Sequence, residues 1–297
     1  MGITINPLSA VGGADVTRLD LTQPMNTASK QALNDALSQH GWLCVRAQPL
    51  AAREIADFAR AFGHIQPHVQ RAYQHPEVPE IVMMTNRKAD GSFDNAGARR
   101  GAAEQTREGW HSDLTYDPVP AKATILHAVE IPSLGGNTCF ANAALAYARL
   151  DPSLKERLNG LRAAFVYGGH QRNASTRAAA SALDAQAQKT AHAVHPVVNR
   201  HPVTGQPGIY VNPLLTTHII GVNAAESDAL LEVLCDALDD ETIRSEHQWQ
   251  VGDTLIWDNR GGIMHTGRLD YPRDEARRFM RATVTGAVMV GHRHQAA

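Results

Sequence analysis

The sequence has little cysteine, almost no net charge and no long apolar run, and each absence closes off a class of protein. Cys44, Cys139 and Cys235 are the only cysteines in 297 residues, and they lie far apart. An odd, scattered set offers neither a disulfide framework nor a Cys-x-x-Cys site. Each has an apolar neighbour, so buried free thiols in a reducing compartment, and hence a cytoplasmic protein, are expected. With 28 basic and 30 acidic residues the formal charge is −2, which removes any global attraction to nucleic acid or an anionic membrane. No stretch approaches the roughly 18 apolar residues of a spanning helix. The first twenty residues carry Asp15 and Asp20 and no apolar run, so they do not read as a signal peptide. There is no G-x-G-x-x-G, no P-loop and no internal repeat. The expected partner is a small molecule.

The chain is 43% hydrophobic and 20% charged, ordinary values for a globular protein. No linker divides it, so residues 1–297 read as one domain. Residues 3–21 read as an edge strand, a Gly12-Gly13 turn and a second strand. Thr27 is placed to cap a helix over 28–39 that Gly41 ends, and a second helix over 51–62 is stopped by Gly63. Trp42 to Val45 is a buried strand, and 81–85 another. Polar, Gly-rich 86–109 reads as a long loop, and polar, Ala-rich 169–190 as a helix or flap; both are candidate lids. Strands are expected at 123–129, 137–140, 162–167, 193–198, 208–211, 249–251, 254–257 and 279–290. Helices are expected over 142–159 and, capped by Asn223, over 224–238. Short strands with Gly/Pro turns and a few helices give a mainly β fold, a sandwich or barrel braced by helices. Nothing alternates regularly enough for a doubly wound sheet.

Histidine is the one abundant chemical residue, at 15. In His111-Ser112-Asp113, strand periodicity would send residues i and i+2 to one face, so both reach a single ion. A second histidine from a distant strand would complete a two-histidine, one-carboxylate face with open positions opposite, as in non-haem iron oxygenases. The spacing alone is weak, because about 1.5 chance matches to H-x-[DE] are expected from 15 histidines and 30 acids. The other match, His75-Pro76-Glu77, sits among prolines and reads as a surface turn. His111 and Asp113 lie where a long loop meets a strand, a better setting for a site. His265 would follow a tight turn over 258–262 and begin the strand next to Thr254–Trp257; a hydrogen-bonded core histidine is an equal alternative on pattern alone. His192 and His195 fit a strand better than a zinc-binding helix. His292 and His294 lie near a frayed end, and His40, His201 and His247 read as surface or helix-end residues.

With these residues in view, the chain resembles the TauD/TfdA family of Fe(II)/2-oxoglutarate-dependent dioxygenases. The resemblance rests on Trp110-His111-Ser112-Asp113, Gly135-Gly136-Asn137-Thr138, Tyr210-Val211-Asn212, Trp257-Asp258-Asn259-Arg260 with His265, and Gly41 to Gly63. It implies a double-stranded β-helix, a cupin-like jelly roll with flanking helices. It implies His111, Asp113 and His265 as ligands of Fe(II), with 2-oxoglutarate and O2 consumed and succinate and CO2 released. Thr138 and an arginine would hold the distal carboxylate of 2-oxoglutarate. Arg277, Arg281 and Thr283 fit the family's R-x-x-x-R-x-T spacing, with Arg278 the alternative if the extra residue lies inside the strand. Only one of two adjacent arginines can face the barrel interior, and Arg277 is preferred. Arg281 and His68 fall where relatives contact substrate, and Arg281 favours a small anionic one that is hydroxylated or oxidatively cleaved. Relatives commonly form dimers or tetramers, so a homo-oligomer is expected. A same-fold halogenase would lack the carboxylate ligand, which Asp113 supplies here. A redox-silent jelly-roll binding protein would need no such set of residues.

Overall fold

Helix ends follow from capping and from proline. The computed structural model describes residues 2–67, 71–88, 90–94, 102–167 and 192–294. Helix α1 (Thr27–His40) is capped by Asn26, whose side chain accepts from Ser29 N. The cap thus falls one residue before the expected Thr27. Gly41 closes α1 with φ 77°, a left-handed conformation that costs glycine nothing. Helix α2 (Ala52–Ala59) is shorter than 51–62. Its last turn tightens to i→i−3 bonds, Ala61 N to Phe58 O and Phe62 N to Ala59 O. The expected loop over 86–109 is structured in part: Thr106–Gly109 forms a short helix, α3. The single helix expected over 142–159 is two, α4 (Ala143–Arg149) and α5 (Pro152–Arg157). Pro152 has no N–H to continue α4 and forces Asp151 into an extended conformation, from which Asp151 caps α5. Asn223 caps α6 (Ala224–Leu238), which buries Leu230, Leu231, Leu234 and Leu238. No helix among the described residues is long and apolar enough to cross a membrane.

The described strands are β1 (Thr4–Pro7), β2 (Ala14–Thr17), β3 (Trp42–Val45), β4 (Val82–Thr85), β5 (Ala102–Ala103), β6 (Ala121–Glu130), β7 (Thr138–Asn142), β8 (Arg162–Val166), β9 (His192–Pro196), β10 (Val198–Arg200), β11 (Pro207–Ile209), β12 (Thr216–Ile220), β13 (Arg244–His247), β14 (Thr254–Asp258), β15 (Ile263–Arg268) and β16 (Arg278–Thr285). The larger sheet runs β1-β2-β3-β14-β6-β16-β4, and a four-stranded sheet runs β13-β7-β15-β5. Two smaller sheets are β12-β8-β9 and β10-β11. The protein is therefore mainly β with helices.

Alternation along the strands sorts side chains into layers. In β14, Ile256 packs with α1 and α2, while Leu255 and Trp257 face the other way. In β16, Met280, Ala282 and Val284 join the helical side, and Phe279 the opposite one. That opposite layer also holds Phe140 of β7 and Ile263 of β15, so the two main sheets face each other across it. Trp42 stacks on Phe140 with ring centres 4.8 Å apart.

Several expectations change at the corners. β15 does not lie beside β14; the turn after Asp258 carries the chain into the facing sheet. Asp258 Oδ1 accepts from Arg260 N at 2.8 Å, and Oδ2 lies 3.2 Å from His201 Nε2. Trp249–Val251 is not a strand, because Asp253 Oδ2 accepts from Gln250 N at 3.0 Å and bends the chain; β13 precedes it instead. His201 and His247 are buried against Asp258 and Asp253, not at the surface. His292 is tied down through its N–H to Val198 O at 3.0 Å. β16 ends at Thr285 and does not reach 290.

Burial opposes the charged form of Asp258, but bonds from His201 and Arg260 outweigh it and hold the carboxyl below its ordinary range. A depressed folded pKa stabilises the fold above the unfolded value of about 4, and this is lost as pH falls through the folded value. Asp258→Asn should therefore lower stability at neutral pH and flatten the acid limb. Urea midpoints between about pH 7 and about pH 3 measure this, and an acid limb as steep as the parent's would count against it.

Candidate active site

His111 and His265 face each other across an isolated antiparallel bridge. His111 N donates to His265 O at 3.0 Å, and His265 N to His111 O at 2.9 Å. Their ring centres are 4.2 Å apart. Trp110 anchors the approach by donating Nε1–H to Asp239 Oδ1 at 2.8 Å, at the end of α6. Gly109 permits close contact with β15, since a Cβ there would lie 2.1 Å from Thr266 Oγ1. The expected strand does not continue through Asp113. Extended pairing stops at His111, and Leu114 takes a left-handed φ of 57°. Asp113 reaches the histidines from a turn.

One ligand atom from each of His111, Asp113 and His265 lies within 4.8 Å of the others, and all three residues are buried. His111 Nε2 is 3.9 Å from Asp113 Oδ1, and His265 Nε2 is 3.7 Å from Oδ2. His111 Nδ1 lies 2.7 Å from Gly109 O, so the proton belongs on Nδ1 and the Nε2 lone pair faces Asp113. Burial pushes both imidazoles down, His265 especially, with His111 beside it adding to the effect. They are neutral near pH 7, as ligands must be. Burial would raise the Asp113 carboxyl, but the Arg281 charge, helped by the bond from Thr124, outweighs it and holds it well below the usual carboxylate range. Two nitrogens and one carboxylate oxygen in this arrangement suit a divalent iron or manganese ion.

The triad opens on a cavity of about 470 Å³ that Thr138, Arg277 and Arg281 also line. Thr138 is buried, and its hydroxyl accepts from Trp249 Nε1 at 3.1 Å. Arg277 donates to Gly136 O through Nε at 3.2 Å and Nη2 at 3.0 Å, and its guanidinium lies 4.4 Å above the Phe279 ring. No carboxylate among the described residues forms an ion pair with it. Arg278 points away, to Glu130 at 2.7 Å, and does not line the cavity. Arg281 Nη2 donates to Asp113 Oδ1 at 2.8 Å, and its Nε is buried with no partner among the described residues. His68 lies outside the described residues, as do 169–190 and, within 86–109, residues 89 and 95–101.

Sequence reasoning did not assign a role to Thr124 or Trp257. Both donate to Asp113 Oδ2, at 2.6 and 3.2 Å. A hydroxyl between Ala123 and Ile125 in β6 is the available signal for Thr124. Tyr116 and Tyr167, packed edge to face at 4.8 Å, form an aromatic wall of the cavity that was also missed.

Cys44, His247 and Asp253 form a second cluster of metal-ligating types. It does not suit an ion. Asp253 Oδ2 already takes Arg46 Nη1 at 3.0 Å, His247 Nε2 at 3.1 Å and Gln250 N at 3.0 Å. Burial also pushes the Cys44 thiol far above its ordinary range, away from the thiolate a metal needs. All three cysteines are buried and free.

Residues 4–283 match the family described as Taurine catabolism dioxygenase TauD, TfdA family. An (S)-phenoxypropionate/alpha-ketoglutarate-dioxygenase from Delftia acidovorans is 32% identical over 269 residues, covering 87% of each chain. An alpha-ketoglutarate-dependent 2,4-dichlorophenoxyacetate dioxygenase from Cupriavidus pinatubonensis is 28% identical, covering 98% of this chain and all of the relative. The crystal structure of a taurine dioxygenase from Burkholderia xenovorans superposes with a TM-score of 0.80 at 28% identity, covering 98% of this chain and 92% of that one.

Removing the carboxylate should weaken manganese(II) binding by at least about tenfold in Asp113→Ala. Glu77→Ala, in the other His-x-acid match, should leave it unchanged. Isothermal titration calorimetry measures both, and equal effects would remove the distinction between the two matches.

Proposed function

The chain belongs to the TauD/TfdA family of 2-oxoglutarate-dependent dioxygenases, and from that premise we propose that His111, Asp113 and His265 hold its iron(II) while Thr138 and Arg277 hold the distal carboxylate of 2-oxoglutarate. The enzyme uses iron(II), 2-oxoglutarate and O2. Iron, when bound, would supply the oxidising chemistry, with one oxygen atom of O2 going to the substrate and the other to the succinate formed as CO2 is lost. The protein's residues bind, orient and exclude water.

The observation that carries this reading is that a single cavity contains all three candidate ligands together with Thr138 and Arg277. A planar guanidinium offers paired N–H donors to a carboxylate, and the Thr138 hydroxyl adds another. Position supports Arg277 over Arg278: Arg277, the residue before β16, lies against the inward Phe279 ring, and Arg278 is ion-paired outside.

We assign the substrate to small anions with an apolar body, hydroxylated or oxidatively cleaved. Arg281 lines the cavity, and the part of its guanidinium not taken by Asp113 suits an anionic head. Leu114, Tyr116, Tyr167, Leu214 and Leu215 line the cavity and would cover an apolar body and keep water from it. Relatives named for phenoxypropionate, 2,4-dichlorophenoxyacetate and alkylsulfate substrates support this class. Asp113 argues against halogenation, since its carboxylate fills the place a halide would take. His68 remains a candidate substrate contact. A double-stranded β-helix in one domain fits the two facing sheets. A cytoplasmic homo-oligomer completes the proposal, its location supported by the free buried cysteines.

Anaerobic addition of iron(II) and 2-oxoglutarate should produce the visible charge-transfer absorption of the chelate. Titrating that band should show Arg277→Ala weakening 2-oxoglutarate by about 10- to 100-fold, the worth of a hydrogen bond to a charged group. Arg278→Ala should stay within about twofold, as exposed ion pairs contribute little. Absence of the band in the parent would sink the enzyme reading; equal losses in the two variants would sink the choice of arginine.

A further inference from the structure

The two oxygens of Asp113 are held differently. Oδ2 accepts from Thr124 Oγ1 at 2.6 Å and from Trp257 Nε1 at 3.2 Å. Oδ1 accepts one described bond, from Arg281 Nη2 at 2.8 Å. A carboxylate oxygen has two lone pairs in the carboxylate plane. Oδ2 has given both to protein donors, and Oδ1 keeps one.

The direction of the Thr124 hydroxyl is itself fixed. Asn259 Nδ2 donates to Thr124 Oγ1 at 3.0 Å, so that oxygen is already an acceptor and its hydrogen points to Asp113. Asn259 Oδ1 accepts from Asp113 N at 2.9 Å. These two opposed bonds set the orientation of the amide. They also close a ring from the Asp113 backbone through Asn259 and Thr124 to the Asp113 carboxylate. Thr124 and Asn259 are fully buried, so water does not compete for these bonds.

We infer that Thr124, oriented by Asn259, is a positioning residue that restricts Asp113 to ligating the metal through Oδ1 alone. The inference rests on the metal-binding reading above. A carboxylate held to one oxygen occupies one coordination position. Free to chelate with both, it would take a second position that co-substrate or dioxygen needs. The hydroxyl therefore protects an open position on the ion without touching the ion.

Manganese(II) alone is the probe, and water-proton relaxation is the readout, since it reports water bound directly to the ion. Three protein donors leave three solvent positions on an octahedral ion. Thr124→Val keeps the shape and removes the donor. It should lower the relaxivity of the manganese-loaded protein by about one third, one position of three. Thr124→Ser restores the hydroxyl and should match the parent. If Thr124→Val does not fold, Thr124→Ala carries the same expectation. A parent protein with no manganese-bound water would overturn the metal-binding reading itself. A normally loaded parent with unchanged relaxivity in the folded hydroxyl-less variant would overturn this inference alone. So would loss of manganese binding in that variant, because a freed carboxylate should still ligate.

Discussion

A charged carboxylate buried between two uncharged imidazoles is tolerable only where donors and positive charge surround it, and the structure around Asp113 is organised by that requirement. Arg281 supplies the charge, Thr124 and Trp257 donate to the carboxylate, and the Asn259 amide orients both Thr124 and the Asp113 backbone. These groups come from β16, β6, β14 and the corner that follows β14. Three adjacent strands of the larger sheet thus meet at one side chain, and their register is coupled to the geometry of the site. A slip of one residue in β16 would turn Arg281 to the helical side and leave Asp113 without its cation.

The same need explains the corner after β14. His265 has to reach Asp113 from the facing sheet, yet it lies only seven residues beyond Asp258. The Asp258–Arg260 turn makes that crossing, braced by His201 from outside. One residue further along the turn, Asn259 points inward to Asp113 and Thr124. A single tight corner therefore moves the chain between sheets and positions the amide that holds Asp113 and Thr124. Its polar atoms are bonded to one another, so burial carries little penalty.

Much of this was legible in the sequence, for identifiable reasons. Local signals survive because their causes are local: Asn223 caps α6, Gly41 ends α1, and apolar Trp42 to Val45 is buried. Expectations change where a single residue or a remote partner overrides the local pattern. Pro152 splits the single helix expected over 142–159, because it has no N–H to continue α4. Trp249–Val251 has strand-like composition, yet Asp253 bends it. His201 and His247 looked like surface residues because the acids that bury them are remote or across a turn. Asp113 was placed by strand periodicity and in fact sits on a turn. The gathering of the triad came out of a resemblance across the chain, and the spacing alone did not justify it.

Arg277, just before β16, and Arg278 and Arg281 within it show most clearly what position adds to composition. Arg277 and Arg281 are four residues apart, so they share a face, with a separation of about 13 Å along an extended strand. Arg278 lies between them on the other face and is ion-paired with Glu130. On the proposed reading, one strand sets the distance between two anion sites, for co-substrate carboxylate and for substrate head. Their neighbours differ in a way that fits the division. Arg277 has carbonyl and aromatic partners and no described carboxylate, so its charge is available to an incoming anion. Arg281 is already shared with Asp113, and only its remaining donors can take a substrate. On that reading, metal that neutralises Asp113 would free the Arg281 charge for an anion, joining substrate capture to a loaded site through one guanidinium.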